Sequence, residues 1–277
     1  MSLKLCCVSP HPPIIVPEVG LGEVGKVEAS SEALRALAGD IIDAEPRTIV
    51  VMSPHSPVNP DAFLIQSETK MSGSFSQFRA GQVRLEAPGD ERLAALIEES
   101  ATKRGLPIAR RGEGDPGSGV LDHGVLVPLY FLAPPEYMLV CLSINFLGYR
   151  EHYAMGMAMR EAVESYGRPV VFIASGDLSH RLTRDAPAGY EKEAHYFDEK
   201  IVEIFNDGDF SKLRSLDPRL VALAGECGLR SIFALAGTVD GQSVESEVLS
   251  YEGPFGVGYM VARVRPLQPD PSRSLSF

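Results

Sequence analysis

The chain has 277 residues and 44% of them are hydrophobic, so it is long enough to bury a large core. Its formal net charge is −11, and no cluster of basic residues is longer than the pair Arg110-Arg111. This charge balance argues against a nucleic-acid-binding surface and against an anchor to anionic membranes.

Hydrophobic periodicity predicts strands and helices that follow one another along the whole chain. In chain order these are a strand at Leu3–Ser9, a helix at Ser31–Ala44, strands at Arg47–Ser53 and Ala62–Glu68, a polar surface loop at Lys70–Gly81, a strand at Gln82–Glu86, a helix at Glu91–Arg104, an apolar segment at Val125–Leu132, a strand at Tyr137–Ile144, a helix at Tyr149–Tyr166, a strand from Val170, a helix at about Tyr190–Asn206, helices from Asp217 to Ala236, and strands at Val244–Tyr251 and Gly256–Val264. The alternative for Lys70–Gly81 is a flexible flap over a crevice at the sheet edge.

The chain shows no internal repeat, composition break or long linker. We therefore predict one α/β domain over residues 1–266, with a central mixed or parallel sheet flanked by helices. Residues 267–277 are rich in Pro and Ser and are predicted to form a disordered tail.

No uncharged apolar run approaches the roughly 20 residues that span a bilayer. The beginning of the chain does not resemble a signal peptide, and the four cysteines have no Cys-x-x-Cys spacing. We therefore expect a reduced, cytoplasmic protein.

Three of the predicted strands share one design, in which an apolar run ends in a polar turn that carries a histidine. The first two end in Ser-Pro-His, at His11 and at His55, and the third ends in Ser-Gly-Asp, three residues before His180. Ligands of open α/β sheets bind outside the carboxyl ends of the strands. The pattern therefore predicts one site at that edge. His152 and His195 lie in the middle of predicted helices among charged residues, and both are expected to be solvated.

A metal explains this pattern better than acid–base chemistry alone. Two neutral imidazoles and one carboxylate form the facial triad of non-heme Fe(II) oxygenases, and His11 and His55 are the natural imidazole donors. The alternative is that both are buried turn histidines bonded to backbone carbonyls. Glu226 is a candidate carboxylate, because its small, apolar surroundings would make a bare Glu costly to bury. Alternatively, Glu226 compensates the dipole at the start of a helix.

Five motifs, taken together, resemble the catalytic subunits of class III extradiol ring-cleavage dioxygenases, the LigB-like family. The chain is also similar to Memo-like proteins and to the LigB-like domains associated with AMMECR1 modules. The matching motifs are SPHPPIIVPEVG at 9–20, MSPHSPV at 52–58, LDHGVLVPL at 121–129, SGDLSHRL at 175–182 and AGECGLRSI at 224–232.

The resemblance implies a LigB-like fold, a sandwich of the phosphorylase/hydrolase-like type. It implies that Fe(II), or else zinc or another divalent metal, is held by His11, His55 and Glu226. His180 then falls on the position of the general base and acid, and His123 on that of a histidine that contacts substrate and dioxygen. The implied reactants are O₂ and a catechol or aminophenol-type aromatic. The implied assembly is a homo-oligomer, in the form of a dimer.

Other assignments remain open on the sequence. Cys227 adjoins Glu226, and Memo-like relatives place a cysteine at the carboxylate position, so either residue could be the third ligand. A thiolate would favour a softer metal such as Cu(I) or Zn. Two other functions also fit the resemblance: a metal-binding partner protein of the Memo or AMMECR1-associated type that is not an oxygenase, and a zinc-dependent hydrolase in which His180 activates water. Asp177 either orients the His180 turn or bonds its own backbone, and Ser175 is expected to be a turn former.

Overall fold

The structure is a computed structural model that describes residues 1–55, 57–111, 115 and 117–275. Its strands are, in chain order, β1 (Leu3–Ser9), β2 (Thr48–Ser53), β3 (Phe63–Gln66), β4 (Met71–Phe75), β5 (Ala80–Ala87), β6 (Ile108–Arg110), β7 (Met138–Ser143), β8 (Val170–Ser175), β9 (Gln242–Glu252) and β10 (Tyr259–Pro269). Eight of these strands form one sheet in the order β6-β3-β7-β2-β8-β1-β10-β9, while β4 and β5 form a separate antiparallel pair.

The centre of the large sheet is parallel, and its margins are mixed. Strands β1, β8, β2 and β7 are parallel neighbours, so their carboxyl ends lie at one edge of the sheet. On one side β10 and β9 continue the sheet antiparallel, and on the other side β3 runs antiparallel to β7. This arrangement confirms the predicted fold class, a single α/β domain built on a mixed central sheet.

Helices cover both faces of the sheet. They are α1 (Pro17–Gly20), α2 (Glu28–Asp43), α3 (Glu91–Lys103), α4 (His123–Leu132), α5 (Tyr149–Tyr166), α6 (Ala194–Asp207), α7 (Pro218–Ala224) and α8 (Leu229–Thr238). Successive side chains of a strand point to opposite faces, and both faces are buried here: Val50 packs in the core with α3, α5, α6 and α8, while Val51 packs in the core with α2 and α4. Burial on both faces explains the continuous apolar runs of the central strands.

The segment Lys70–Gly81 is not the predicted surface loop. It contains β4, a 3₁₀ helix at Ser76–Phe78 and the beginning of β5, and the side chain of Phe75 is fully buried. Ser and Gly residues made the segment polar, but their small side chains leave room for its apolar positions to pack against α4. The prediction was wrong because it relied on the polar composition of the segment and not on its apolar residues, such as Phe75.

Two further predictions were wrong. The described part of the tail, residues 267–275, is not disordered: β10 continues to Pro269, and Leu275 is buried and donates its backbone N–H to Asp240. Residues 276 and 277 of the predicted tail lie outside the described residues. His152 is not on the surface, because its side chain faces the core beside Phe63. No described helix is long and apolar enough to cross a membrane.

Candidate metal centre

A serine ends each of the four parallel strands at their shared edge. These residues, the strand-end serines, are Ser9, Ser53, Ser143 and Ser175, and all four are buried. Ser9 is in register with Ser175, and Ser53 with Ser143, so the four form a row across the sheet. The histidines that were predicted from strand ends, His11, His55 and His180, follow this row along the chain.

His11 and His55 meet in front of the strand-end serines. Their Nε2 atoms are 2.9 Å apart, and the Sγ atom of Cys227 lies 3.7 Å from Nε2 of His11. Together the three side chains offer two imidazole nitrogens and one sulfur within 4.8 Å of one another. This is a donor set that can hold a metal ion.

Hydrogen bonds from neighbouring strands hold His11 in place. Its Nδ1 is 2.9 Å from the hydroxyl oxygen of Ser175, and its backbone N–H donates to Oδ1 of Asp177 at 3.0 Å. The hydroxyl of Ser175 in turn donates to the carbonyl oxygen of Gly124, in the first turn of α4. The sequence assigned no such role to Ser175.

His123 and His180 lie around the same centre. The ring of His123 is 4.1 Å from that of His55 and 5.6 Å from that of His11, measured between centroids. His180 forms a second group of possible ligands with Asp177 and Cys227, all within 4.8 Å of one another. The Nδ1 atom of His180 is buried, and the ring lies against the backbone of Leu178 and Gly225.

One aromatic residue at this site was missed by the sequence reasoning. Phe78, in the 3₁₀ helix after β4, packs edge-on against the ring of His123 with 5.5 Å between centroids. Its only sequence signal was an aromatic side chain within the segment predicted to be a surface loop. Phe78 shields one side of His123 from water.

Glu226 is not part of the ligand group found among the described residues. Its Oε2 accepts a hydrogen bond of 2.6 Å from the backbone N–H of Leu229, at the start of α8. The carboxylate therefore caps the helix, which is the alternative that the sequence left open. Gly225, in the left-handed conformation that ends α7, leads into this turn, and Cys227 is the neighbour whose side chain reaches His11.

Burial sets the protonation of the centre. The pKa of His11 is lowered well below its usual value by burial first and by the three neighbouring imidazoles second. Burial also lowers the pKa values of His55, His123 and His180. It raises the pKa of Asp177 to about 7 and that of the Cys227 thiol well above its usual value. The imidazoles are therefore neutral, as metal binding requires, whereas the thiol would lose its proton on binding.

The residues present fit a divalent metal. Two Nε2 atoms that face each other across 2.9 Å, with a sulfur beside them, are better satisfied by one shared cation than by a single proton. The buried Asp177 carboxyl lies with its Oδ2 4.0 Å from Nε2 of His11, and a cation bound at the centre would favour its ionised form.

Comparisons with known proteins agree with this arrangement. The family model described as the catalytic LigB subunit of aromatic ring-opening dioxygenase matches residues 5–262. The chain is 40% identical over 282 residues to Protein CA_C1420 of Clostridium acetobutylicum, covering 99% of this chain and 60% of that protein. It is 26% identical over 172 residues to the 3,4-dihydroxyphenylacetate 2,3-dioxygenase of Escherichia coli, covering 58% of this chain and 61% of the enzyme. The chain thus spans about three fifths of the length of these relatives.

A solved structure shares the fold. The crystal structure of the uncharacterized protein JW3007 from Escherichia coli K12 superimposes with a TM-score of 0.66 at 17% sequence identity, covering 95% of this chain and 99% of the other. The match of the family model across nearly the whole sequence decides the relationship. The chain belongs to the family of catalytic LigB subunits of aromatic ring-opening dioxygenases.

Proposed function

We propose that this protein is an Fe(II)-dependent extradiol dioxygenase that opens the ring of a catechol or aminophenol-type aromatic with O₂. The observation that carries the proposal is the meeting of His11 and His55, with Nε2 atoms 2.9 Å apart, at the sheet edge that His123 and His180 also reach. The Escherichia coli relative is a 3,4-dihydroxyphenylacetate 2,3-dioxygenase, which supports an aromatic diol as substrate.

His11 and His55 would hold the metal, with Cys227 as the third ligand that the geometry favours over Glu226. Iron bound there would supply Lewis acidity towards the two oxygens of a diol and the redox chemistry that dioxygen needs. Cys227 would hold the metal as its thiolate, because a metal-coordinated thiol is deprotonated.

The remaining side chains position the aromatic substrate and handle its protons. His180, whose ring lies beside Asp177 and Cys227 at the centre, can accept the proton of a diol hydroxyl and return it to the product. His123 presents its ring beside His55 and can donate a hydrogen bond to the bound reactants. Phe78 keeps water from one side of His123 and offers an aromatic edge to a substrate ring.

One observation favours a second candidate function. Sulfur is a softer ligand than a carboxylate, so a centre with Cys227 as a ligand would also suit zinc. A zinc-dependent hydrolase, in which His180 activates water, therefore remains an alternative. A metal-binding partner protein without oxygenase activity is the other alternative. The expected dimer and the expected cytoplasmic location remain predictions.

The test is to load the purified protein anaerobically with Fe(II) and then to add a panel of catechols and aminophenols with air. A yellow ring-opened product is expected with at least one substrate, and His180→Gln should abolish it while leaving bound iron unchanged. Iron retention should be lost in His11→Ala and in Cys227→Ser, and should persist in Glu226→Gln.

Each contrary outcome identifies another assignment. Bound metal without turnover across the panel would favour the partner protein, and zinc retained on purification together with ester or amide cleavage would favour the hydrolase. Iron lost from Glu226→Gln but kept by Cys227→Ser would return the third ligand to Glu226, as the sequence had suggested.

A further inference from the structure

We propose that Ser175 is a positioning residue that fixes the tautomer of His11, so that Nε2 of His11 keeps its lone pair for the metal. The proposal rests on the metal centre proposed above, and it adds a role for a residue that touches neither metal nor substrate. It also links that centre to helix α4, which carries His123.

The first step is the direction of the hydroxyl of Ser175. Its oxygen lies within hydrogen-bond distance of two groups, the carbonyl oxygen of Gly124 and Nδ1 of His11. A carbonyl oxygen can only accept, so the single proton of the hydroxyl must point to Gly124. If it pointed to His11 instead, two oxygens with lone pairs would face each other in a buried site.

Proline explains why the carbonyl of Gly124 is available. In a helix this carbonyl would accept from the backbone N–H four residues later, but that position of α4 is Pro128, which has no N–H. A carbonyl without its helical partner and away from water needs another donor. Ser175, fully buried at the end of β8, supplies it.

The second step follows for His11. Because the proton of Ser175 is committed to Gly124, the serine oxygen can only accept from His11, and Nδ1 must carry the hydrogen across their 2.9 Å contact. A metal-ligating imidazole is neutral and has one N–H. Nε2 of His11 is therefore unprotonated and faces His55 and Cys227 with its lone pair.

The arrangement also assigns the proton between the two imidazoles. Without a metal, the contact between the Nε2 atoms of His11 and His55 requires one donor, and that donor is His55. To offer Nε2 to a metal, His55 would have to change to its Nδ1–H tautomer, whereas His11 would already have the required tautomer. Ser175 thus prepares one of the two imidazole ligands before the ion arrives.

The experiment measures the tautomer and the affinity separately. In metal-free protein labelled with ¹⁵N-histidine, two-bond ¹⁵N–¹H spectra report which nitrogen carries the hydrogen, and a His11→Gln variant identifies the signals of His11. The expected result for the wild type is an Nδ1–H ring at His11. An Nε2–H ring there would overturn the proposal, and this measurement needs no variant of Ser175.

The affinity is measured by zinc titration of the apoprotein. Ser175→Ala should weaken zinc binding about 10- to 100-fold, as for other hydrogen-bond partners of metal ligands, and Ser175→Thr should restore it to within a few-fold. The matched control is Ser9→Ala on the adjacent strand, because the hydroxyl of Ser9 is equally buried but donates to the carbonyl of Pro10, its one side-chain hydrogen bond among the described residues. Its affinity should not change.

Equal affinities of the wild type and Ser175→Ala would overturn the proposal, and so would equal losses in Ser175→Ala and Ser9→Ala. Failure of the wild type to bind any metal would overturn the proposed function instead, and the tautomer spectra of the wild type and of Ser175→Ala, compared without metal, would still decide the role of Ser175.

Discussion

His152 allows a direct test of how burial sets the acid stability of this fold. The ring lies in α5 with 0% exposure, donates from Nδ1 to the carbonyl of Gly148 at 2.9 Å and accepts at Nε2 from the backbone N–H of Asn145 at 3.3 Å. Both contacts suit the neutral ring, and protonation would place a second hydrogen against the N–H of Asn145. Burial accordingly lowers the pKa of His152 to about 4.

The size of the effect follows from the two pKa values. The folded value of about 4 lies below the ordinary 6.5, a difference of 6.5 − 4 = 2.5 pH units, or about 3 kcal/mol. Between these values the unfolded chain binds a proton and the folded chain does not. The contribution to stability is therefore fully present above pH 6.5 and is lost as the pH falls towards 4.

The assay compares urea unfolding of the chelator-treated wild type and of His152→Gln from pH 4 to pH 7.5. The difference in free energy of unfolding, wild type minus variant, should shrink by about 3 kcal/mol as the pH is lowered across this range, whatever its value at neutral pH. His195→Gln controls for the loss of one histidine, because the ring of His195 is exposed. A difference that stays constant with pH would refute the reasoning.

Three more predictions concern other buried contacts. Burial raises the pKa of Asp198 to about 7, so the folded chain holds a proton there that the unfolded chain releases. The stability of the wild type relative to Asp198→Asn should therefore fall as the pH rises from 4 to 7. Urea titrations that show no such trend would contradict this prediction. An added Cβ at Gly176 would overlap the backbone of the turn before α8, so Gly176→Ala should lower the melting temperature and weaken zinc binding. The control Gly39→Ala, in open space on α2, should stabilise the fold by about 0.5–1 kcal/mol. Similar melting temperatures for the two variants would contradict the prediction. Phe78→Ala removes the aromatic side chain that covers one side of His123. It should raise the KM for an aromatic substrate by about 2- to 10-fold without changing zinc affinity. A loss of zinc binding would show instead that Phe78 is needed for the metal centre itself.

The sequence predicted the main elements well because apolar periodicity is strong in buried strands and long helices. The helix predicted at Tyr149–Tyr166 has the same bounds in the structure. His152 was misjudged although it lies three and seven residues before Met155 and Met159, on the apolar face of that helix. The charged neighbours on the opposite face obscured this spacing.

The choice between Glu226 and Cys227 was beyond the sequence for a different reason. Two adjacent residues in a turn point in different directions, and which of them faces His11 depends on how α7 ends and α8 begins. No periodicity describes such a turn. The hydrogen bond from Ser175 to Gly124 was equally hidden, because its partners are 51 residues apart.

The first turn of α4 is attached to two strand ends at once. Ser53 donates to Asp122, which caps the helix, and Ser175 donates to the carbonyl of Gly124. His123 lies between these two attachments and therefore shares its support with His11. An ion bound by His11, as proposed above, would therefore also restrict the His123 ring, and the entropic cost of holding a later-arriving reactant would fall before that reactant enters.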